Sequence, residues 1–383
     1  MLLRTYLYTD SWDKSLDASL DSLNTLVIIF GDINVTNYSV AIQELKKTYQ
    51  NSFIIGASTA GTIYEDKILE SGLSVTVLKF HSTTLKITSI PLSFATDSFI
   101  DGVTIAKTLQ DDDLKAIFVL SEGLNVNGSQ LTDGLASVLK DSVVVTGGLA
   151  GDYDTFEKTW VIADKEVKNS YITAVGFYGN AFHVAYSSQN GLDKVGIQRV
   201  VTKSQDNILY ELDNQPALEI YKKYLGEKAS ELPASGLLFP LSIKNKNANG
   251  NESKIRTILN VSEKEHSITF AGDVPQGTLV TLMMANYDRV IQGAAQAAKD
   301  ITLQNHNNEP LLSIAISCVA RKLVLKQRTE EELEVICDTL PQITHQIGFY
   351  SYGEISPLGN GVCDLHNQTM TLTLFWESDA PST

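Results

Sequence analysis

Ala116-Ile117-Phe118-Val119-Leu120, then Asn125-Val126-Asn127-Gly128, then Gly147-Gly148-Leu149-Ala150-Gly151 decide the fold class of this chain. The first block is a short apolar run, which reads as a strand. The polar quartet after it reads as a turn and helix cap, because Asn side chains accept from the free N–H groups of a first helical turn. Gln130–Lys140 carries a helical pattern, and Val143–Val145 is a second strand. The glycine block reads as a sharp turn, and Tyr171–Phe177 closes the unit. The order is β-α-β-β.

The same order occurs upstream. Leu26–Phe30 is followed by Asn34-Val35-Thr36-Asn37, a helix-like stretch Val40–Tyr49, a strand Phe53–Ile55, the turn Gly56-Ala57-Ser58-Thr59-Ala60-Gly61 and a strand Leu73–Phe80. Both glycine turns end in Ala-Gly. A fainter third copy runs from Leu312–Ile316 through an amphipathic helix Glu330–Leu340 to strands Ile347–Ile355 and Gln368–Phe375. Such self-similarity marks a duplicated unit. The expected class is α/β (α+β, with mixed sheets), in which repeated β-α-β-β units form two associated halves. A change of character over Gly196–Asn207 marks the boundary between halves. Between the second and third copies the pattern predicts a helix from Gln215-Pro216-Ala217 to Leu225. It also predicts a strand Gly236–Phe239 between Pro233 and Pro240, a polar loop Asn245–Ser253, strands Ile255–Val261 and Ser267–Ala271, and an Ala-rich helix Asp288–Leu303.

The 383 residues carry a net charge of -15. No run of Lys or Arg is long enough to hold a phosphate backbone or an anionic lipid surface, so nucleic-acid and membrane partners are not expected. Cys318, Cys337 and Cys363 are sparse and lack C-x-x-C spacing, which points away from a disulfide framework and a zinc site. Asp10, Asp13, Asp17 and Asp21 are out of place in a secretory leader. The expected compartment is the cytoplasm. No cofactor or metal is expected.

Several motifs taken together resemble the FIST family, named for F-box and intracellular signal transduction proteins. The two glycine turns and Asn125–Gly128 resemble its N-terminal domain. Ala217-Leu218-Glu219-Ile220-Tyr221, Phe239-Pro240-Leu241, Ser317-Cys318 with Arg321, Gly348-Phe349-Tyr350-Ser351-Tyr352-Gly353-Glu354-Ile355 and Leu365-His366-Asn367-Gln368-Thr369 resemble its C-terminal domain. The resemblance places the two domains over 24–200 and 206–377. It implies a stand-alone sensory protein that binds a small ligand such as an amino acid, has no catalytic activity and signals through a separate partner protein. The family's first glycine turn often carries Cys at the position of Ala57, so a thiol role there does not extend to this chain.

Ten residues are candidates for contact with that ligand. Tyr350, Tyr352 and Glu354 share one face if Ile347–Ile355 is a single strand, and could meet an ammonium. Arg321 offers a planar fork for a carboxylate; the same side chain could instead pair with Glu330 or Glu331 at the surface. His366 stands at the rim of an apolar face, where a capped core histidine is the alternative, and Asn367 opens the opposite, polar face. Asn125 and Asn127 serve as caps or ligand contacts. Gly148 would allow close backbone approach, and Asp152 is a second acidic candidate. Two other function classes stay open: a hydrolase using Cys318 with His366 and Glu354, and an interaction scaffold without a ligand.

Overall fold

A computed structural model describes residues 1–383 except 94–96, 154, 245–252, 305, 307–308, 359–360 and 379–383. Most of the polar loop 245–253 therefore lies outside the described residues. Three six-stranded mixed sheets enclose one central core, and a further nine-stranded sheet forms an inserted subdomain.

Each six-stranded sheet is built on a parallel pair joined through a helix. The pairs are Thr25–Gly31 with Phe53–Ser58, Leu114–Ser121 with Val144–Leu149, and Leu311–Cys318 with Thr344–Ser351. The three helices are Ser39–Thr48, Gly128–Ala136 and Thr329–Thr339. The closing strands Leu73–Lys79, Tyr171–Tyr178 and Met370–Glu377 each pair antiparallel with the first strand of their own unit. All three sequence copies, including the faint third, are thus one β-α-β-β arrangement. The pleat explains their near-continuous apolar runs. Leu26, Ile28 and Phe30, Ala116, Phe118 and Leu120, and Leu312, Ile314 and Ile316 all face the shared centre. The intervening Val27 and Ile29, Ile117 and Val119, and Leu311 and Ala315 face three outer cores under the helices. A strand covered on both faces has no polar face to alternate with.

The units are also tied to one another by exchange. The hairpin Thr62–Leu69 of the first unit pairs with Thr344–Ser351 of the third. The hairpin Val161–Lys168 of the second joins the first at Phe53–Ser58. The hairpin Gly353–His366 of the third joins the second at Val144–Leu149. One glycine position recurs with this geometry. An added Cβ at Gly56, Gly147 or Gly348 would lie 2.4, 1.8 or 1.8 Å from the carbonyl oxygen of Ile29, Val119 or Ala315. Each is the directly paired residue of the neighbouring parallel strand.

Four expectations need correction. The glycine blocks read as turns begin inside strands: Gly56, Ala57 and Ser58 belong to Phe53–Ser58, and Gly147, Gly148 and Leu149 to Val144–Leu149, because both stretches are paired in the parallel ladders and the turns come only after them. Ile347–Ile355 is not one strand; it breaks at Tyr352, where the chain leaves the third sheet and enters the second. The residues from His366 to Leu374 likewise span two sheets, with a turn at Gln368 (φ 53°) between them. Two-residue alternation cannot carry a shared face across such a crossing. The predicted strand Gly236–Phe239 is a 3-10 turn, Ala234–Leu238, and the strand begins beyond Pro240 at Leu241.

The inserted subdomain lies between Leu192 and Ala285, with its own core around Val201, Leu209, Leu218, Ile268 and Phe270. Its first and last strands, Leu192–Lys194 and Leu279–Ala285, pair with each other. The chain therefore enters and leaves it at one place.

Candidate functional site

The second unit's parallel pair ends facing the inserted subdomain, and a cleft of about 550 Å³ lies between them. The carboxyl ends of parallel strands are a common place for ligand sites, since loops and helix N-termini converge there. One wall carries Gly123, Leu124 and Asn127, with Gly128 at the start of the helix. The opposite wall carries the turn Asp206-Asn207, Leu259, and the stretch Phe270–Asp273. Tyr352, delivered by the third unit, and Phe156 form the end.

Two buried carboxylates shape this mouth. Glu122 accepts from Leu124 N–H at 3.0 Å, from Asn125 N–H, and from the Thr159 hydroxyl at 3.3 Å. Asp152 accepts from the N–H groups of Phe156, Glu157 and Lys158 at 2.8–2.9 Å and from the hydroxyls of Thr155 and Tyr352. Burial alone would raise the Asp152 carboxyl, but the donors of Lys158, Tyr352, Glu157 and Thr155 outweigh it and hold it below its ordinary value. These bonds place Phe156 flat against Tyr352, with ring centroids 4.4 Å apart at 16°. Phe156 adopts φ 53° and stays 48% exposed. Leu259 across the cleft is 47% exposed. Asn127 caps its helix through Gln130 N–H at 3.1 Å and spans the cleft to Asp273 at 3.3 Å.

Asp206 and Asp273 are charged side chains in the cleft wall, and among the described residues no Lys or Arg lines it. Arg256 is buried behind the cleft residues Gly272 and Asp273. It donates to the carbonyls of Asp273 (3.0 Å), Ile255 (3.1 Å) and Leu365 (3.2 Å), and to the Ser129 hydroxyl at 3.4 Å. It latches the inserted subdomain onto the second and third units.

The structure divides the ten sequence candidates. Tyr352 and Asn127 line the cleft, while Asn125 and Asp152 build its rim through the bonds just given. The other six lie inside the protein. Arg321 is 1% exposed and pairs with neither Glu330 nor Glu331. It meets buried Glu332 at 2.6 Å and donates to the carbonyls of Asn190 and Val290. Tyr350 and Ser317 donate to the other oxygen of Glu332 at 2.6 and 3.0 Å. Glu354 accepts from the Ser351 hydroxyl at 2.7 Å and from the N–H and hydroxyl of Thr369 at 3.2 and 2.9 Å. Burial pushes its carboxyl up to about 8. His366 bonds the Ser356 carbonyl at 3.0 Å, and Asn367 bonds the His366 carbonyl at 3.0 Å. Gly148 packs against Ile316 and Phe349. Cys318 is buried, and its thiol is pushed up by burial and then by the nearby Glu354 carboxyl. Asp206, Asn207, Leu259 and Asp273 were not singled out from sequence. They come from turns of the insertion, which no repeat pattern marks. The dipeptide Gly272-Asp273 is a local turn signal, but nothing in it indicates what the turn faces.

The FIST N domain family matches residues 25–215 and the FIST C domain family matches residues 217–357. The chain belongs to the FIST family. FIST domains are associated with sensory signal transduction. The two halves of the chain correspond to the two domain types. A similar stretch occurs in an uncharacterized protein of Methanocaldococcus jannaschii, 25% identical over 228 residues. That alignment takes in 56% of this chain and 40% of the archaeal protein, so the FIST chain matches less than half of its relative's length. Among the described residues no helix is long and apolar enough to cross a membrane. No cluster of His, Cys, Asp and Glu among them could hold a metal ion.

Proposed function

We propose that this FIST chain is a small-molecule sensor that seats an ammonium-bearing metabolite, an amino acid or a related amine, in the cleft between the second unit and the inserted subdomain. The observation that carries this reading is the composition of the cleft among the described residues: two carboxylates, Asp206 and Asp273, no basic side chain, and a half-exposed Phe156–Tyr352 stack. A cation in such a site gains from the carboxylates and from the ring faces. Exposed Phe156 and Leu259 would cover the apolar part of the ligand, and the start of the helix Gly128–Ala136 suits its carboxylate. Binding would add to the ties that Arg256 and Asn127 already make between the subdomain and the core. On this reading, closing the cleft is the signal passed to a separate protein. The buried, protonated Cys318 thiol favours this reading over a cysteine hydrolase, and the three free cysteines suit a cytoplasmic setting.

The test is a thermal-shift screen of the full chain with amino acids and amines, followed by calorimetry of Asp273→Asn and Asp206→Asn. A true ligand stabilises the chain by about 2.7 kcal/mol at a hundredfold excess over its Kd. The variants should weaken it about tenfold or more. Ligands indifferent to both variants would reject the site, and a screen without any amine or amino-acid hit would reject the reading.

A further inference from the structure

Each of the three units has a corresponding edge, where its parallel pair ends beside a hairpin lent by another unit. In the first unit this position is filled. Trp160 donates to the Asp32 carbonyl at 3.2 Å, and Tyr38 bonds the Asp32 carboxylate and receives Gly72 N–H at 2.8 Å. In the second unit it is the cleft described above. In the third unit it is open as well: a cavity of about 590 Å³ lies between the segment following Cys318 and the hairpin of the first unit.

The walls of this third-unit cavity differ in charge from the first cleft. Lys322 and Lys326 stand on one side and Glu70 on the other. Glu330 also lines it; one of its oxygens accepts from Ile68 N–H at 3.1 Å, and the other lies 3.9 Å from Lys67 in a loose surface ion pair. Lys322 reaches the Ala60 carbonyl at 2.7 Å and lies over the Tyr153 ring, 5.7 Å from its centroid. Among the described residues neither the Lys326 ammonium nor the Glu70 carboxylate has an ion-pair partner. Two side chains of opposite charge, each without an ion-pair partner among the described residues, thus line one open cavity.

The backbone at Lys326 is a second, independent observation. Lys326 has φ 53° and ψ −117°, joining the helix Val319–Leu325 to a 3-10 turn. Gly226 makes the same junction elsewhere in this chain with φ 59° and ψ −125°. Glycine takes this conformation freely, whereas lysine is strained there. The Thr329 hydroxyl, bonded to the Lys326 carbonyl, holds the turn. Packing does not account for a side chain here, since Lys326 is exposed.

We infer that this third-unit cavity is a second ligand site, for a dipolar metabolite whose anionic group meets Lys326 and Lys322 and whose cationic group meets Glu70. It stands apart from the first cleft and does not depend on it.

The test uses Lys326→Gly, which relieves the strained backbone and is expected to melt no lower than the parent, and Glu70→Gln on the exposed rim. The full chain is titrated calorimetrically with the standard amino acids, and with the carboxamide and N-acetyl forms of any that bind. The inference predicts at least one amino acid whose binding falls about tenfold or more in each variant and is unchanged in Asp273→Asn. That amino acid should also bind poorly in both modified forms, since each form lacks one charge. The inference is overturned if no amino acid binds, if binding is indifferent to Lys326→Gly and Glu70→Gln, or if the carboxamide binds as well as the parent compound.

Discussion

Arg321 and Glu332 show what a buried ion pair does in this chain. The guanidinium bonds one oxygen of Glu332 while Tyr350 and Ser317 satisfy the other. Its remaining donors hold Asn190 and Val290, which flank the two ends of the inserted subdomain. Arg321→Met would strand the Glu332 carboxylate in the core. Urea unfolding should show a loss of about 3–5 kcal/mol, with part of it recovered when Glu332 is also made apolar. An unchanged midpoint would mean the pair is not closed in solution. Glu354 gives a prediction of opposite character. Burial holds its carboxyl up near 8 against an ordinary 4.5, although Ser351, Thr369 and the Arg321 charge pull the other way. Between those values the folded chain keeps a proton that the unfolded chain has released. The stability this carboxyl contributes is therefore fully present below about 4.5 and is lost as pH rises to about 8. Glu354→Gln removes the titration. The unfolding free energy of the parent minus that of the variant should fall across this window and level off above it. A difference that stays flat with pH would show that Glu354 does not titrate in this range.

At the scale of elements, the recurring glycine decides how closely the parallel strands can run. Gly147 combines φ 146° with a would-be Cβ 1.8 Å from the Val119 carbonyl oxygen, so backbone strain and a backbone clash add. Gly147→Ala should cost more than about 4 kcal/mol by chemical denaturation. Gly226→Ala, with φ 59° and nothing within 4 Å, should cost only the backbone component of about 1–3 kcal/mol. Equal losses would refute the close approach. These glycines also show why some of the fold was legible in the sequence. Leu26–Phe30 and Ala116–Leu120 are apolar without alternation, and a glycine block ending in Ala-Gly recurs after each, so the duplicated unit could be read from one sequence, although that the first glycine of each block lies inside the second strand could not. The exchange of hairpins could not. Val161–Ala163 and Glu166–Lys168 are three-residue strands with no pattern of their own, and pairing across units leaves no local mark. The Arg321–Glu332 pair spans a helix, a turn and part of the next helix, so no spacing rule reaches it. Asn127 was legible as a cap. That it also spans a cleft to Asp273 depends on where the insertion folds back.

For the molecule as a whole, exchange and insertion imply two levels of stability. The central core draws Phe30 and Ile55 from the first unit, Phe118 and Phe177 from the second, and Ile316, Phe349 and Phe375 from the third. Each sheet is completed by a hairpin from another unit, so removing one unit exposes the core and leaves sheet edges unpaired. The three units should therefore open together. The inserted subdomain differs: it has a separate core, enters and leaves at one strand pair, and is fastened by Arg256 reaching Leu365 and Ser129. Native-state hydrogen exchange is the measurement. Amides of Thr25–Gly31, Leu114–Ser121 and Leu311–Cys318 should share one opening free energy, the highest in the chain. Amides of Ile208–Leu212 and Ser267–Phe270 should exchange through a lower-energy opening of the insertion alone. Arg256→Met should lower protection in Ile208–Leu212 and Ser267–Phe270 while leaving the three central strands near their parent values. A ligand seated between Asp273 and Asn127 should raise protection in the insertion first, because it bridges the two bodies that separate in that opening. If one central strand exchanges independently of the other two, the units are separate foldons and the exchanged hairpins do not bind them into one cooperative body.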